Sequence, residues 1–227
     1  MDIGSPEWAR LIAEGAAPLG AAPGPEQIAL FARHAQTLLE WNAVTNLTTI
    51  TRAEDVALNH FVDSLAGVAA VPAGSELLDI GSGGGFPGLP LHVTVPGLRT
   101  TLVDASRKKV SFLRHVIRSL RLERVEALHA RVEDLGRNPG YARRYDVIVS
   151  RAFASMPDLL RAAWPLVKPG GRVVALKGLL TDSELGALRA DAAAGAYGAV
   201  SRVETSLYRL PGLKSERMRV IVGWAPG

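Results

Sequence analysis

From Glu76 onward, short apolar runs alternate with amphipathic helical patterns, and this alternation restricts the chain to few folds. The runs are ELLDIG, LRTTLVDA, VEALHA, YDVIVSRA and GRVVALKG. Strands separated by helices in this way form βαβ units, with a parallel sheet covered by helices on both faces. Two last runs, VSRVETSLYRL and ERMRVIVGWA, have only the turn PGLKS between them. The sequence therefore predicts a doubly wound α/β fold with a seven-stranded, mostly parallel sheet and an antiparallel C-terminal hairpin.

The chain before Glu76 has helical periodicity instead. A first helix is expected to end at Gly15, and an amphipathic helix is predicted over residues 25–41. A third helix is predicted to begin at Arg52, because capping-box spacing precedes it. We therefore divide the chain into an N-terminal helical extension, residues 1–75, and an α/β domain, residues 76–227.

Composition adds only mild constraints. The 227 residues carry a net charge of +4, a weak bias toward a polyanionic partner. The N-terminus lacks the pattern of a signal peptide. The longest uncharged stretch, residues 80–98, contains six glycines and three prolines, which indicates loops rather than a membrane span. We expect a cytoplasmic monomer that binds neither membrane nor metal.

The first apolar run passes into LLDIGSGGGFPGLP, residues 77–90, with five glycines and two prolines. Glycine costs backbone entropy on folding, so this segment indicates a need for bare backbone. Gly83, Gly85 and Gly88 satisfy G-x-G-x-x-G between a strand and a helix, where doubly wound sheets bind ligands. Gly85 in particular is expected to bring backbone close to the ligand. A dinucleotide site and a purely structural turn are the alternatives.

Two carboxylates help to choose the ligand. Asp79 ends a strand two residues before Gly81, where an acid suits an ammonium group and would repel a pyrophosphate. Asp104 ends the next strand, 19 residues after Gly85, where an acid hydrogen-bonds ribose hydroxyls. Its alternative role is a helix N-cap. Both NAD and S-adenosylmethionine contain a ribose, but Asp79 and the strand count favour S-adenosylmethionine and a class I methyltransferase fold.

The third and fourth strands supply further candidates. Val132 and Glu133 lie where an adenine would find an apolar flank and a polar partner, although Glu133 is equally well a solvated helix start. Arg151 follows the fourth strand, beside the expected methyl group, and is a candidate positioning residue. The chain has no cysteine, which excludes pyrimidine carbon-5 methylation through a thiolate and any thiolate metal site. No N-P-P-Y-like motif for exocyclic amines occurs. A ring nitrogen, or a hydroxyl, carboxylate or amine activated by a base, remains as acceptor.

A basic helix face is the first candidate for nucleic-acid contact. The predicted helix from Arg107 has one apolar face, and four arginines lie opposite: Arg107, Arg114, Arg118 and Arg121. Arginine pairs well with phosphate, but a face without interleaved aromatics is at least as often simply solvated. If this helix lies away from the substrate entrance, Lys177 and Lys214 are the alternative RNA contacts.

Several longer motifs occur together: LLDIGSGGGFPGLPL, LVDASRKKVSFLRHV, SRAFAS, ALKG, WNAVTNLTTI and HFVDSL. With these motifs the chain resembles the bacterial small-subunit (16S) ribosomal RNA guanine-N7 methyltransferases, the glucose-inhibited division protein B family. The resemblance implies that a guanine in the decoding-centre loop is the acceptor. It also implies S-adenosylmethionine contacts at Gly81, Phe86, Asp104, Arg151 and the pair Val132 and Glu133. The family often has alanine where this chain has Val132.

Other functions stay open at this point. Methylation of another RNA or a small molecule, and RNA binding without catalysis, are the alternatives to the reaction that the resemblance implies. The group His60, Asp63 and Ser64 raises a hydrolytic triad as a further hypothesis. All three lie on one predicted helix, and no G-x-S-x-G motif accompanies them, which argues against a hydrolase.

Overall fold

A single mixed sheet organises the α/β part of the chain. The structure, a computed structural model, describes residues 1–151, 153, 155–213 and 216–227. The sheet order within these residues is β3-β2-β1-β4-β5-β7-β6. The strands are β1 (Glu76–Ile80), β2 (Arg99–Asp104), β3 (Val125–His129), β4 (Tyr145–Ser150), β5 (Val167–Lys177), β6 (Val200–Arg209) and β7 (Glu216–Trp224).

The register of the sheet confirms the predicted fold class. Strands β1 to β5 pair in parallel, and β7 pairs antiparallel with both β5 and β6. The parallel strands are buried on both faces, which explains their continuous apolar runs. The strand order reverses between β1 and β4, so the crevice outside their carboxyl ends is where a ligand is expected.

Helices surround the sheet and form the N-terminal extension. The extension contains α1 (Pro6–Ala16), α2 (Pro25–Thr45), α3 (Ala53–Val56), a π-helical segment (Ala57–Val62), α4 (Asp63–Leu65) and 3₁₀ turns at Ala17–Leu19 and Val68–Ala70. The α/β part contains α5 (Gly88–Thr94), α6 (Arg107–Ser119), α7 (Val132–Arg137), α8 (Met156–Ala163) and α9 (Asp182–Ala193). No helix in the described parts of the chain is long and apolar enough to cross a membrane.

The ends of the N-terminal helices differ in part from the predictions. Gly15 does not end α1 but lies inside it. A Cβ at this position would lie 3.1 Å from Val62 Cγ1, so close packing explains the glycine. Helix α2 continues to Thr45, four residues beyond the predicted end, and Asn46 in the left-handed region caps it. The third helix begins at Ala53 rather than Arg52, which is its N-cap.

The extension shares a hydrophobic core with the α/β part. Trp8, Phe31 and Phe61 are fully buried in one cluster with Phe86 of the glycine segment and Phe112 of α6. Trp8 Nε1 donates to the carbonyl oxygen of Ala53 at 3.0 Å. This packing holds the extension against α5, α6 and the glycine segment, and brings its side chains to the site described next.

Candidate active site

The glycine segment after β1 turns through conformations that side chains rarely adopt. Gly81, Gly83 and Gly85 have φ of +73°, +56° and +94°. In this left-handed region glycine carries no steric penalty. The N–H of Gly81 donates to the carbonyl oxygen of Val103 at 2.8 Å, which ties the loop to the end of β2. The need for bare backbone is therefore confirmed as a conformational requirement.

Gly85 and Gly88 are closely packed against other parts of the protein. A Cβ on Gly85 would lie 2.5 Å from Leu89 Cδ1 and 3.3 Å from His34 Cε1, so packing within the protein requires this glycine. A Cβ on Gly88 would lie 2.5 Å from Leu102 Cδ2 and 2.6 Å from Asp79 Oδ2. Gly88 thus lets α5 pack closely on β1 and β2. A contact between the backbone of Gly85 and the ligand stays a prediction.

Asp79 is fully buried beneath the loop. Its Oδ2 accepts a hydrogen bond from the N–H of Gly88 at 2.9 Å, whereas its Oδ1 has no partner among the described residues. Burial raises the pKa of Asp79 to about 7. A buried, unpaired carboxylate oxygen is costly unless a donor meets it, so this atom fits a cationic ligand group such as an ammonium.

Asp104 connects the loop to α6. Its Oδ2 accepts from the N–H of Gly83 at 3.0 Å, and its Oδ1 accepts from the N–H of Ser106 at 2.8 Å. Lys109 Nζ lies 3.8 Å from Oδ2. The N-cap residue of α6 is Ser106, so Asp104 is not itself the cap. Each carboxylate oxygen has a second lone pair with which it can accept from a ribose hydroxyl.

Two adjoining cavities lie at the carboxyl ends of the strands. One, about 200 Å³, lies outside β2 and β3 and is lined by Gly81, Asp104, Val132 and Glu133 among others. The other, about 250 Å³, is called the helix-side cavity: residues 81–84 form one wall, and Leu38, Leu47, Thr48, His60, Phe86, Lys109 and Arg151 complete it. Gly81 borders both cavities.

Larger cavities occur elsewhere, but they lie in less suitable places. One of about 370 Å³ lies at the amino end of β1 beside Gly74 and Asp146, and one of about 440 Å³ lies between α7 and α8. Doubly wound sheets bind ligands at the carboxyl ends of their strands, at the point of strand reversal. The two adjoining cavities meet both conditions, so we assign the site to them.

Two histidines of the extension enclose Phe86, which is 4 % exposed. The His34 ring stacks on it at 4.8 Å between centroids, and the His60 ring stacks on its other side at 4.4 Å. Burial lowers the pKa of His34 to about 4 and that of His60 to about 3, so both imidazoles are neutral at pH 7. His34 Nε2 also bonds to the carbonyl oxygen of Gly84 at 2.8 Å. His34 was not predicted as a site residue, because its helical periodicity marks it only as a core position.

Arg151 is held by the extension rather than free in the cavity. Its NH1 donates to Asp63 Oδ2 at 3.1 Å and to the carbonyl oxygen of Asn59 at 2.6 Å. Asp63 is 1 % exposed and accepts two further hydrogen bonds, from Arg217 NH1 at 3.0 Å and from Tyr208 OH at 2.8 Å. Two guanidinium groups on one carboxylate leave a net positive charge beside the helix-side cavity. Arg217 and Tyr208 were not singled out from the sequence.

The residues His60, Asp63 and Ser64 do not form a triad. Ser64 Oγ donates to the backbone carbonyl oxygen of His60, not to its ring. His60 Nε2 instead contacts Thr48 Oγ1, and Asp63 faces the two arginines. The hydrolase hypothesis therefore has no geometric support. Within HFVDSL, His60 lines the helix-side cavity and Asp63 holds Arg151.

The basic candidates lie at different distances from the site. Helix α6 begins at Arg107 near the carboxyl edge of the sheet and runs away from it, so Ser119 lies about 18 Å further along its axis. Arg114, Arg118 and Arg121 are all exposed. Arg114 Nε donates to the carbonyl oxygen of Ala127 on β3 at 3.1 Å, and the other two lie nearer the far end of the helix. Lys177 Nζ donates to the carbonyl oxygen of Phe153 at 2.6 Å. Lys214 lies outside the described residues. No group of three metal-ligating side chains occurs in the described parts of the chain.

Comparisons with known proteins agree with this geometry. The model of the family described as "rRNA small subunit methyltransferase G" matches residues 27–206. A protein of Geobacter sulfurreducens named "Ribosomal RNA small subunit methyltransferase G" is 46 % identical over 217 residues, which covers 95 % of this chain and 97 % of the relative. A protein of the same name from Myxococcus xanthus is 46 % identical over 181 residues, covering 79 % of this chain and 80 % of the relative.

Solved structures show the same fold at low sequence identity. An O-methyltransferase from Bacillus cereus in complex with SAH has a TM-score of 0.57 at 19 % identity, covering 85 % of this chain and 90 % of that one. Aeropyrum pernix fibrillarin with natively bound S-adenosyl-L-methionine has a TM-score of 0.51 at 12 % identity, covering 66 % of this chain and 67 % of that one.

Proposed function

The chain belongs to the rRNA small subunit methyltransferase G family, and from this premise we propose that it methylates N7 of a guanine in the decoding-centre loop of 16S ribosomal RNA. It is a methyltransferase whose cofactor is S-adenosylmethionine, which supplies an electrophilic methyl group when bound. The observation that carries the proposal is the pair of adjoining cavities at the strand reversal. The buried Asp79 at the end of β1, whose Oδ1 has no partner among the described residues, supports it.

The residues of the first cavity would hold the adenosine. We assign Asp104 to the ribose hydroxyls, because it ends β2 at the cavity and retains acceptor capacity. Val132, which is 6 % exposed, would flank the adenine, and the exposed Glu133 would pair with its amino group. The backbone of Gly81, which borders both cavities, would cross the middle of the cofactor.

The residues of the helix-side cavity would hold the methionine part. Gly83 contributes backbone, and Phe86 contributes an apolar wall that the two stacked histidines keep in place. The charge of Arg151 suits the methionine carboxylate, and Asp63 holds its guanidinium in position. Asp79 would ionise when an ammonium group meets its free oxygen, because an adjacent positive charge lowers the pKa that burial has raised.

Guanine N7 suits the side chains that surround this cavity. Its lone pair lies in the ring plane, so no proton is removed before attack and no general base is needed. His60 is a poor base, because its pKa is lowered to about 3 and its ring nitrogens contact Thr48 and Arg151. The work left to the protein is orientation of acceptor and cofactor, which can supply roughly 7–11 kcal/mol.

The RNA surface follows from the direction of α6. We propose that Arg107 contacts phosphate close to the acceptor, because it lies at the end of α6 nearest the cavities. Arg114, Arg118 and Arg121 would then contact phosphates further along the RNA, if the RNA follows the helix. Lys177 lies at the carboxyl end of β5 and would lie on the opposite side of the entrance.

The N-terminal helical extension, residues 1–75, is proposed as the acceptor-side wall of the methyltransferase domain, residues 76–227. Support comes from Leu38, Leu47, Thr48 and His60, which all lie in the extension and line the helix-side cavity. We propose that the protein acts as a monomer, because both walls of the cavity come from one chain. We propose a cytoplasmic location, because the proposed substrate is ribosomal RNA.

Transfer of a radiolabelled methyl group tests the proposal. The acceptors are 16S ribosomal RNA and small subunits from a strain that lacks this modification. The donor is S-adenosylmethionine with a radiolabelled methyl group. Label at N7 of one guanine is expected. Label only in another RNA or in a small molecule would replace the substrate assignment, and RNA binding without any label would indicate a non-catalytic protein.

A further inference from the structure

Thr48 lines the helix-side cavity and carries a hydroxyl group whose hydrogen bonds are constrained. Its Oγ1 lies 3.0 Å from the backbone N–H of Ile50, which can only donate to it. The same oxygen lies 3.0 Å from His60 Nε2. A threonine oxygen accepts two hydrogen bonds and donates one, so the role of His60 decides what Thr48 can still do.

The protonation of His60 follows from its other neighbour. Arg151 NH2 lies 3.4 Å from His60 Nδ1, and a guanidinium group has only donors. Nδ1, which faces this donor, is therefore assigned as the acceptor of the neutral ring. The carbonyl oxygen of Asn59, which accepts from Arg151 NH1, would be the acceptor if Nδ1 carried the proton instead. The single ring proton then lies on Nε2, which donates to Thr48 Oγ1.

Both lone pairs of the Thr48 oxygen are thus occupied, and only its hydrogen remains. Among the described residues no acceptor lies within hydrogen-bond distance of this hydroxyl group other than the His60 ring, which is itself the donor. Thr48 lines the helix-side cavity, so the cavity contains a group that can donate but cannot accept. This property distinguishes purines, since guanine O6 is an acceptor whereas adenine N6 is a donor.

We infer that Thr48 donates a hydrogen bond to O6 of the acceptor guanine, and that His60 selects guanine over adenine by keeping the Thr48 oxygen from accepting. The inference rests on the proposed function, because it assumes a purine methylated at N7. N7 stays free to attack the methyl group, because the hydroxyl group donates to the neighbouring O6. An adenine in the same position would direct its N6–H group at the O–H group of Thr48, and neither donor would have an acceptor.

The test combines two threonine variants with one change in the RNA. Thr48→Val removes the hydroxyl at nearly constant shape, Thr48→Ser keeps it, and Thr49→Val is the matched control at an exposed neighbour. The RNA carries either guanine or 2-aminopurine at the nucleotide that the wild-type protein methylates. 2-Aminopurine keeps N7 but lacks O6.

We expect Thr48→Val to lower kcat/KM for the guanine substrate by about 10- to 100-fold, as a lost hydrogen bond with an unpaired partner does. Thr48→Ser and Thr49→Val should stay within about threefold of wild type, and the Kd for S-adenosylmethionine should not change. The wild-type protein should discriminate against 2-aminopurine, and Thr48→Val should lose most of that discrimination. Equal discrimination in both proteins, or a weakened cofactor Kd in Thr48→Val, would overturn the inference.

A measurement on the unmodified protein is independent of any variant's folding. Nitrogen-15 NMR of labelled histidine is expected to show His60 as the Nε2–H tautomer, and an Nδ1–H tautomer would refute the argument for Thr48. Absence of methyl transfer to 16S ribosomal RNA by the wild-type protein would count against the proposed function. Methylation of guanine with unaltered kinetics in Thr48→Val would reject only the role of Thr48.

Discussion

Replacing Asp63 by asparagine removes one charge at the centre of the contacts between the extension and the rest of the chain. Asparagine keeps the size of the side chain and one acceptor for Tyr208 OH. It cannot neutralise Arg151 and Arg217, whose NH1 atoms lie 3.1 and 3.0 Å from Asp63 Oδ2. The variant therefore tests how much the carboxylate contributes as a charge.

The expected magnitude follows from burial. Asp63 is 1 % exposed, while the side chains of Arg151 and Arg217 are 21 % and 28 % exposed. Removing one partner from a fully buried ion pair costs about 3–5 kcal/mol, because the other charge stays buried. Both guanidinium groups here retain some contact with water, so we expect a loss of about 2–4 kcal/mol in the free energy of unfolding. For a chain of this length that loss lowers Tm by roughly 5–15 °C.

Urea denaturation followed by circular dichroism measures this loss, and calorimetry measures the Kd for S-adenosylmethionine. The matched control is Glu204→Gln, which breaks an exposed pair with Arg202 at 3.2 Å and should cost less than about 1 kcal/mol. Cofactor binding should weaken in Asp63→Asn, because Arg151 loses the group that positions it. The reasoning would be refuted if Asp63→Asn destabilised the protein no more than Glu204→Gln does.

Three further changes test other parts of the site. Burial raises the pKa of Asp79 to about 7, so between about pH 4 and pH 7 the folded state binds a proton that the unfolded state releases, and the free energy of unfolding without cofactor should fall by about pH 7. Urea titrations at several pH values should show a flatter pH dependence of this free energy in Asp79→Asn. An unchanged pH dependence would exclude Asp79 as its source. Gly88→Ala should lower the free energy of unfolding by about 1–3 kcal/mol through overpacking. Gly186→Ala is the control: Gly186 lies within α9 with open space around it, so this change should raise the free energy of unfolding by up to about 1 kcal/mol. Equal effects of the two changes would contradict the packing argument. Arg107→Gln should reduce the slope of log RNA affinity against log salt concentration by about 0.7–0.9. Arg118→Gln, about 16 Å further along α6, should reduce this slope less. A larger reduction in Arg118→Gln would indicate that RNA binds at the far end of the helix.

Local patterns in the sequence determined the fold and the ligand-binding edge. A strand of the sheet accounts for most of each apolar run, because buried parallel strands need apolar side chains on both faces. The hairpin was predictable because only a short turn separates its strands. Gly81 and Gly83 were predictable because their backbone conformation restricts them to glycine. Asp79 and Asp104 followed from their positions at strand ends, which place side chains at one edge of a parallel sheet.

The longer motifs indicated the family, and the family comparisons confirm that assignment. Motifs such as SRAFAS and HFVDSL carry no periodicity that explains them, so their meaning came from resemblance and not from a physical pattern. The assignment of each residue to a part of the cofactor stays a prediction, for which the variants described above provide tests.

Only the tertiary structure decided what supports the site. Asp63 meets Arg151 across 88 residues of sequence and Arg217 across 154, and no local pattern relates such positions. The stacking of His34 and His60 on Phe86 likewise depends on how the extension packs against the glycine loop. Gly85 and Gly88 had the expected spacing, but packing against Leu89 and Leu102 supplies the reason for it. Periodicity and spacing record which face of an element is buried and where its backbone must turn, whereas long-range partners depend on the relative placement of elements, which is set only when the whole core packs.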